Sequence, residues 1–118
     1  MSALPLTTTQ PMPWTDVCAV EDILPGTGVC ALVDGRHVAV FRASDHQFHA
    51  IDNVDPKSGA SVLSRGIIGN LGDRIVVASP LYKNHFDLCT GECLELPEHS
   101  VRAHGVRVDH GRIQVALA

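Results

Sequence analysis

The sequence predicts an all-β domain, an antiparallel β-sandwich or barrel. Three observations carry that prediction. β-branched and apolar residues come in short runs rather than long ones, and the tight-turn pairs Asp34-Gly35 and His110-Gly111 each separate two such runs. No stretch keeps a helical period long enough to make an amphipathic helix, so many short strands joined by glycine-bearing turns is the pattern that remains.

Residues 1–13 are rich in Thr and Pro and read as a flexible N-terminal arm ahead of a single domain spanning 14–118. Residues 14–20 alternate and form the first strand. Residues 21–28, with Pro25, Gly26 and Gly28, are a turn-rich connection. Residues 29–33 and 36–42 flank Asp34-Gly35 and make a hairpin, because both central positions of so tight a turn favour residues that tolerate positive φ. Residues 47–51 form a further strand. Residues 52–72 hold many turn formers and no sustained period, which predicts a long loop with one helical turn near 61–63. A loop of that length in a compact domain tends to carry function. Residues 74–78 restart the sheet. Residues 85–88 and 93–96 are predicted as strands around a tight turn containing Thr90-Gly91, ended by Pro97. Residues 106–109 and 112–117 make a last hairpin over His110-Gly111, in which Val106 and Val108 share a face, as do Ile113, Val115 and Leu117.

At 118 residues the chain is one domain's length, and its 45% hydrophobic content supports a packed core. The net charge of −4 and the lack of any basic run argue against nucleic acid or an anionic membrane as partner. No stretch approaches the roughly 20 apolar residues of a membrane helix. The first residues lack the charged start and apolar centre of a secretory signal, and four cysteines in such a chain suit a reducing cytoplasm, so the expected location is cytoplasmic.

Residues 79–91 read Ser-Pro-Leu-Tyr-Lys-Asn-His-Phe-Asp-Leu-Cys-Thr-Gly. They resemble the second half of a Rieske iron–sulfur motif, Cys-Pro-x-His-x-x-x-Phe-Asp-Leu-x-Thr-Gly, with Ser79 in the cysteine position and Tyr82 in the histidine position. The upstream half, Cys-x-His, is here Asn53-Val54-Asp55. Residues 59–66 resemble the Gly-Ala-x-Leu-Ser-x-Gly of the first cluster loop. The resemblance spans roughly residues 14–117 and implies a Rieske-like fold with two loops at the former cluster site. A Rieske centre takes two thiolates on one iron and two imidazoles on the other, a set that Asn53, Asp55, Ser79 and Tyr82 cannot supply. Within that fold, residues 52–56, 66–69 and 79–83 resemble the small subunit of NADH-dependent nitrite reductase. The resemblance implies an accessory subunit with no catalytic residues, no metal and no cofactor of its own. It also implies a catalytic large subunit as partner, which carries FAD, sirohaem and a [4Fe–4S] cluster and reduces nitrite to ammonia in nitrate assimilation.

The four altered positions have two readings: an oxygen-ligand metal site, or direct hydrogen bonds and packing that tie the loops together. The second is preferred, because calcium and magnesium sites want more carboxylates than Asp55 alone. By analogy with Rieske loop tips, Lys57, Arg65, Tyr82, Lys83 and His85 form a candidate docking edge. Cys89 and Cys93 bracket the Thr90-Gly91 turn without the Cys-x-x-Cys spacing of thiol oxidoreductases. They read as idle thiols, with a hairpin disulfide or a redox switch as alternatives, and Cys18 and Cys30 read as core. Two further functions stay open: a ferredoxin-type electron carrier, which would need at least several of His49, His85, Cys89 and Cys93 to converge, and a free-standing Rieske-like binding module.

Overall fold

The computed structural model describes residues 14–118; the arm assigned to residues 1–13 lies outside the described residues. In chain order the strands are β1 (Thr15–Ala19), β2 (Thr27–Val33), β3 (Arg36–Ser44), β4 (Gln47–Asp52), β5 (Ile67–Leu71), β6 (Arg74–Ala78), β7 (His85–Asp87), β8 (Ala103–Asp109) and β9 (Arg112–Ala116). They form a six-stranded sheet in the order β1-β9-β8-β4-β3-β2 and a three-stranded sheet in the order β5-β6-β7. Every strand pairing is antiparallel.

The β2–β3 hairpin is built as the sequence predicts. Asp34 and Gly35 take φ of 48° and 77°, and Val33 pairs with Arg36 across them. His110 and Gly111 repeat the device between β8 and β9, with φ of 51° and 75°. β3 is the central element. Val38 and Val40 face one apolar cluster with Ile23, Val33, Ala50, Ile113 and Val115. Ala39 and Phe41, on the alternate face, enter a second cluster with Ile51, Leu63, Val77, Phe86 and Leu88. Both faces of β3 are therefore buried, which is why residues 38–41 read as a continuous apolar run rather than an alternating one. The second cluster fills the space between the two sheets. Burying Phe41 alone is worth about 1.5–3 kcal/mol, and Gly28 makes room for it: a Cβ there would lie 2.6 Å from the Phe41 ring.

Three expectations are corrected. The stretch 52–72 is not all loop, because Ile67–Leu71 is strand β5, and the helical turn falls at Leu63–Arg65 rather than 61–63. Residues 93–96 are not a strand: Cys93 makes an isolated bridge to Phe86 and the pairing stops. The reason lies at His85, whose backbone N–H donates to the Glu95 side chain at 2.7 Å instead of to a neighbouring strand. Cys30 is exposed rather than core, since β2 is an edge strand, and Cys18 is only half-buried. All four cysteines are free, so no hairpin disulfide joins Cys89 to Cys93. Val106 packs against the first cluster, whereas Val108, nearer the hairpin tip, is exposed.

Candidate functional site

Two loops meet at one end of the domain: residues 53–66 between β4 and β5, and residues 79–84 between β6 and β7. The first is anchored where β4 ends. The Asp52 carboxylate accepts from His104 Nε2 at 2.8 Å, from the Arg102 backbone N–H at 3.1 Å and from Arg36 at 3.3 Å. His104 Nδ1 accepts the Ala118 N–H at 3.0 Å, so its proton sits on Nε2, directed at Asp52.

Asn53 is fully buried and organises the loop around itself. Its Oδ1 accepts the Ser64 N–H at 2.6 Å, and its Nδ2 donates to Ser61 Oγ at 2.7 Å and to Cys30 Sγ at 3.3 Å. Its backbone carbonyl accepts from Val62 and Leu63, both at 3.0 Å. Cys30 of β2 and Ser61 and Ser64 of the first loop thus converge on one amide side chain, which satisfies the requirement that a buried amide be hydrogen-bonded.

Asp55 and Ser79 join the two loops. Each is 2% exposed, and the Ser79 hydroxyl donates to Asp55 Oδ2 at 2.6 Å. The other carboxyl oxygen of Asp55 accepts the Lys57 N–H at 2.9 Å, which fixes the turn closed by Gly59 at φ 76°. In the second loop the Ser79 carbonyl accepts from Lys83, which takes φ 61°, and the Ser79 N–H donates to the Asn84 carbonyl at 2.8 Å. Outside this clasp, Lys57 Nζ lies 4.5 Å from the centroid of the half-exposed Tyr82 ring, a second bridge between the loops. At an exposed site that contact is worth about 0.5–1 kcal/mol. The buried hydroxyl–carboxyl bond is the stronger tie.

A Rieske cluster does not fit these residues. The four ligand positions offer an amide, a carboxyl, a hydroxyl and a phenol, where two thiolates and two imidazoles are needed. Asn53 also spends its amide on the first loop and on Cys30 of β2, and Asp55 and Ser79 spend theirs on each other across the two loops. The four residues proposed for an alternative centre are scattered in role. His85 Nδ1 is paired with Glu95 Oε2 at 2.5 Å, Cys93 is buried, and Cys89 is exposed. His49 is half-buried, and burial holds its pKa below the ordinary value even though the Asp87 carboxylate acts to raise it. Among the described residues no three His, Cys, Asp or Glu side chains gather closely enough to hold a metal.

Of the candidate docking residues, Lys57 and Tyr82 are in contact, Arg65 and Lys83 are exposed, and His85 is half-buried against Glu95. Sequence reasoning missed Cys30, Ser61, Ser64 and Glu95, whose roles depend on partners far along the chain. Burial acting alone would raise the Glu95 pKa. The hydrogen bonds it receives from the His85 backbone and ring outweigh that effect and hold it below its ordinary value of 4.5. A carboxyl depressed in the folded state contributes stability above its unfolded pKa and loses it as pH falls through the folded one. Glu95→Gln should therefore cost about 0.5–1 kcal/mol at pH 7, the screened worth of an exposed pair. The gap to wild type should close below about pH 4. Urea midpoints at pH 7 and pH 3 check this, and a gap that widens in acid would contradict it.

Residues 13–116 match the Rieske-like [2Fe-2S] domain. The nitrite reductase (NADH) small subunit of Salmonella typhimurium is 49% identical over 104 residues, covering 86% of this chain and 95% of that protein. The NMR structure of the Escherichia coli protein NirD aligns with a TM-score of 0.83 at 44% identity, covering 89% of this chain and 96% of that one. A segment of the Klebsiella oxytoca nitrite reductase [NAD(P)H] large subunit is 40% identical over 103 residues, 87% of this chain but 11% of that protein.

Proposed function

The chain belongs to the Rieske-like family, among the small subunits of NADH nitrite reductase, and on that premise we propose that it is a cluster-free accessory subunit that binds and supports the catalytic large subunit. The observation that carries this reading is the Asp55–Ser79 hydrogen bond at 2.6 Å, made by residues at two former ligand positions. The loops that a cluster would hold together are held by the protein's own side chains, so the scaffold keeps its loop end without a redox centre. The Klebsiella relative supports the choice of partner, since there a segment similar to this chain is part of a large subunit. Two domains that occur in one chain in one organism have a reason to sit together when they are separate.

On this reading FAD, sirohaem and a [4Fe–4S] cluster belong to the large subunit, which reduces nitrite to ammonia in nitrate assimilation. This chain contributes binding, and its place of work is the cytoplasm. Among its described residues no helix is long and apolar enough to cross a membrane.

The docking edge is the loop end. Leu81 and Tyr82 are about half exposed, Lys57 stands against the Tyr82 ring, and Arg65 and Lys83 are exposed on the same two loops. Aromatic anchors of this kind carry much of the energy of protein interfaces. Tyr82→Ala is expected to weaken association with the large subunit by about tenfold or more, roughly 1.4 kcal/mol. Lys83→Glu should mainly slow association and make it more salt-dependent. Binding measured by surface plasmon resonance against the purified large subunit, with thermal melts as a folding control, tests both. Unchanged affinity in both variants would remove the loop end as the docking edge, and a wild-type chain that fails to bind at all would overturn the subunit reading.

A further inference from the structure

A free sheet edge offers unpaired N–H and C=O groups to another chain. Three of the four edges here have a neighbour within the domain. β1 and β2 face each other across one cavity, lined by Asp16 to Cys18 on one side and Val29 to Leu32 on the other. β7 is covered by the segment that follows it. The Leu94 N–H donates to the His85 carbonyl, the Asp87 N–H to the Glu92 carbonyl and the His85 N–H to the Glu95 side chain. β5 has no such cover: among the described residues, the backbone of 67–71 makes no hydrogen bond outside its pairing with β6.

Nor does β5 carry the usual edge protection. Its residues Ile67-Ile68-Gly69-Asn70-Leu71 include no charge and no proline, and its register with β6 runs without a bulge. Ile68 turns inward against the second cluster, while Ile67 and Leu71 stand on the outer face, 79% and 44% exposed. Gly69 lies between them on that face. Glycine inside a strand marks a bulge, a bend or the close approach of another backbone. Here a Cβ at Gly69 would meet nothing within 4 Å in the domain.

The order apolar, glycine, apolar on one face reads the same in both directions. An antiparallel copy centred on Gly69 sets Ile67 against the second copy's Leu71 and Leu71 against its Ile67, with the two glycines on the axis. Directly opposed apolar pairs of this kind stabilise a sheet. The same register brings the exposed Arg65, just ahead of the strand, to the second copy's turn at Gly72-Asp73. Neither Arg65 nor Asp73 has an ion pair among the described residues, and Arg74 beside Asp73 is committed to Glu92 and Asp87. We propose that β5 is a self-pairing edge, which joins two copies of this chain antiparallel about Gly69 into one continuous sheet. A two-fold interface must be complementary to itself, and this edge is so in its apolar side chains and in its charges. The self-pairing concerns this chain alone and does not depend on the accessory-subunit reading.

Sedimentation velocity of the whole chain, over a concentration series reaching millimolar, is expected to show a monomer–dimer equilibrium. Amide signals of Ile67 to Leu71 should shift or broaden along the same series. Ile67→Lys should weaken the dimer by about tenfold or more, since the change enters a two-fold contact twice. The position is exposed, so the fold should hold, and thermal melts check that it does. Arg65→Asp alone and Asp73→Arg alone should each weaken the dimer, and the variant carrying both should recover it, because the exchanged charges meet again. A chain that stays monomeric throughout overturns the proposal. So does a dimer that Ile67→Lys leaves intact, or one whose amide changes fall elsewhere, or a double charge variant that associates no better than the single ones. If Ile67→Lys weakens binding of the purified large subunit while the wild-type chain alone remains monomeric, the edge belongs to that subunit, and self-pairing is overturned.

Discussion

Gly66→Ala is expected to lower the stability of the domain by about 3 kcal/mol, at the upper end of the cost of forcing an extra carbon into a packed site. The backbone conformation is not the obstacle, since φ is −73° and ψ 171°, open to any residue. The obstacle is the neighbour. A Cβ on Gly66 would lie 2.2 Å from the Ala78 carbonyl oxygen and 2.7 Å from Val77 Cγ2. A flexible side chain can move aside, but the Ala78 carbonyl belongs to β6, where Ala78 pairs with Ile67 and His85. The start of β5 must then lift from β6 one residue before Ser79, and the strain falls on the clasp between the loops. Gly69→Ala is the control. It lies in the same strand with nothing within 4 Å of its added Cβ, and should be neutral or stabilise by up to about 1 kcal/mol through the unfolded chain. Guanidinium midpoints for the two variants check the contrast, and equal midpoints would contradict it.

How legible was this in the sequence? The hairpins over Asp34-Gly35 and His110-Gly111 were read correctly because their signals are local: two residues tolerant of positive φ between runs of β formers. β5 was missed because its apolar residues do not mark a core face. Ile67 is 79% exposed and Leu71 44% exposed, and Gly69 and Asn70 break any alternation between them. The signal that could have found it was Gly72-Asp73, a two-residue hairpin turn leading into the well-marked residues 74–78. The strand assigned to residues 93–96 failed for the opposite reason. Its pattern is that of a strand, but the Glu95 carboxylate takes the His85 N–H that a continued pairing would need. Cys30 read as core because it stands in an apolar run, yet only its place at the sheet edge decides its exposure, and sheet order is not a local property. The site divides in the same way. The departure of Asn53, Asp55, Ser79 and Tyr82 from the two thiolates and two imidazoles of a Rieske centre is legible in their residue types. That Asp55 reaches Ser79 across 24 positions, and Asn53 reaches Cys30 across 23, is decided by topology alone.

Breaking the clasp itself is the sharpest test of the proposed cluster-free reading. Asp55→Ala is expected to cost about 2–3 kcal/mol, because it leaves the Ser79 hydroxyl and the Lys57 N–H without their acceptor in a buried place. Ser79→Ala removes a donor from a carboxyl that keeps its bond to Lys57, and should cost less, about 1–2 kcal/mol. If the two groups act as one tie, the double variant should cost less than the sum of the single ones by about 1 kcal/mol or more. Two independent residues that each happened to be buried would give additive losses, and that outcome would end the clasp interpretation. Urea denaturation of the four proteins supplies the cycle. Affinity for the large subunit supplies a second reading, because a loose clasp frees the first loop from the second and so disperses Lys57 from Tyr82. The expected pattern is a loss of affinity in Asp55→Ala greater than any in Gly69→Ala. The hydrogen bond would then be what presents the docking edge in one shape, the part that a bound cluster plays in a Rieske domain that keeps its ligands.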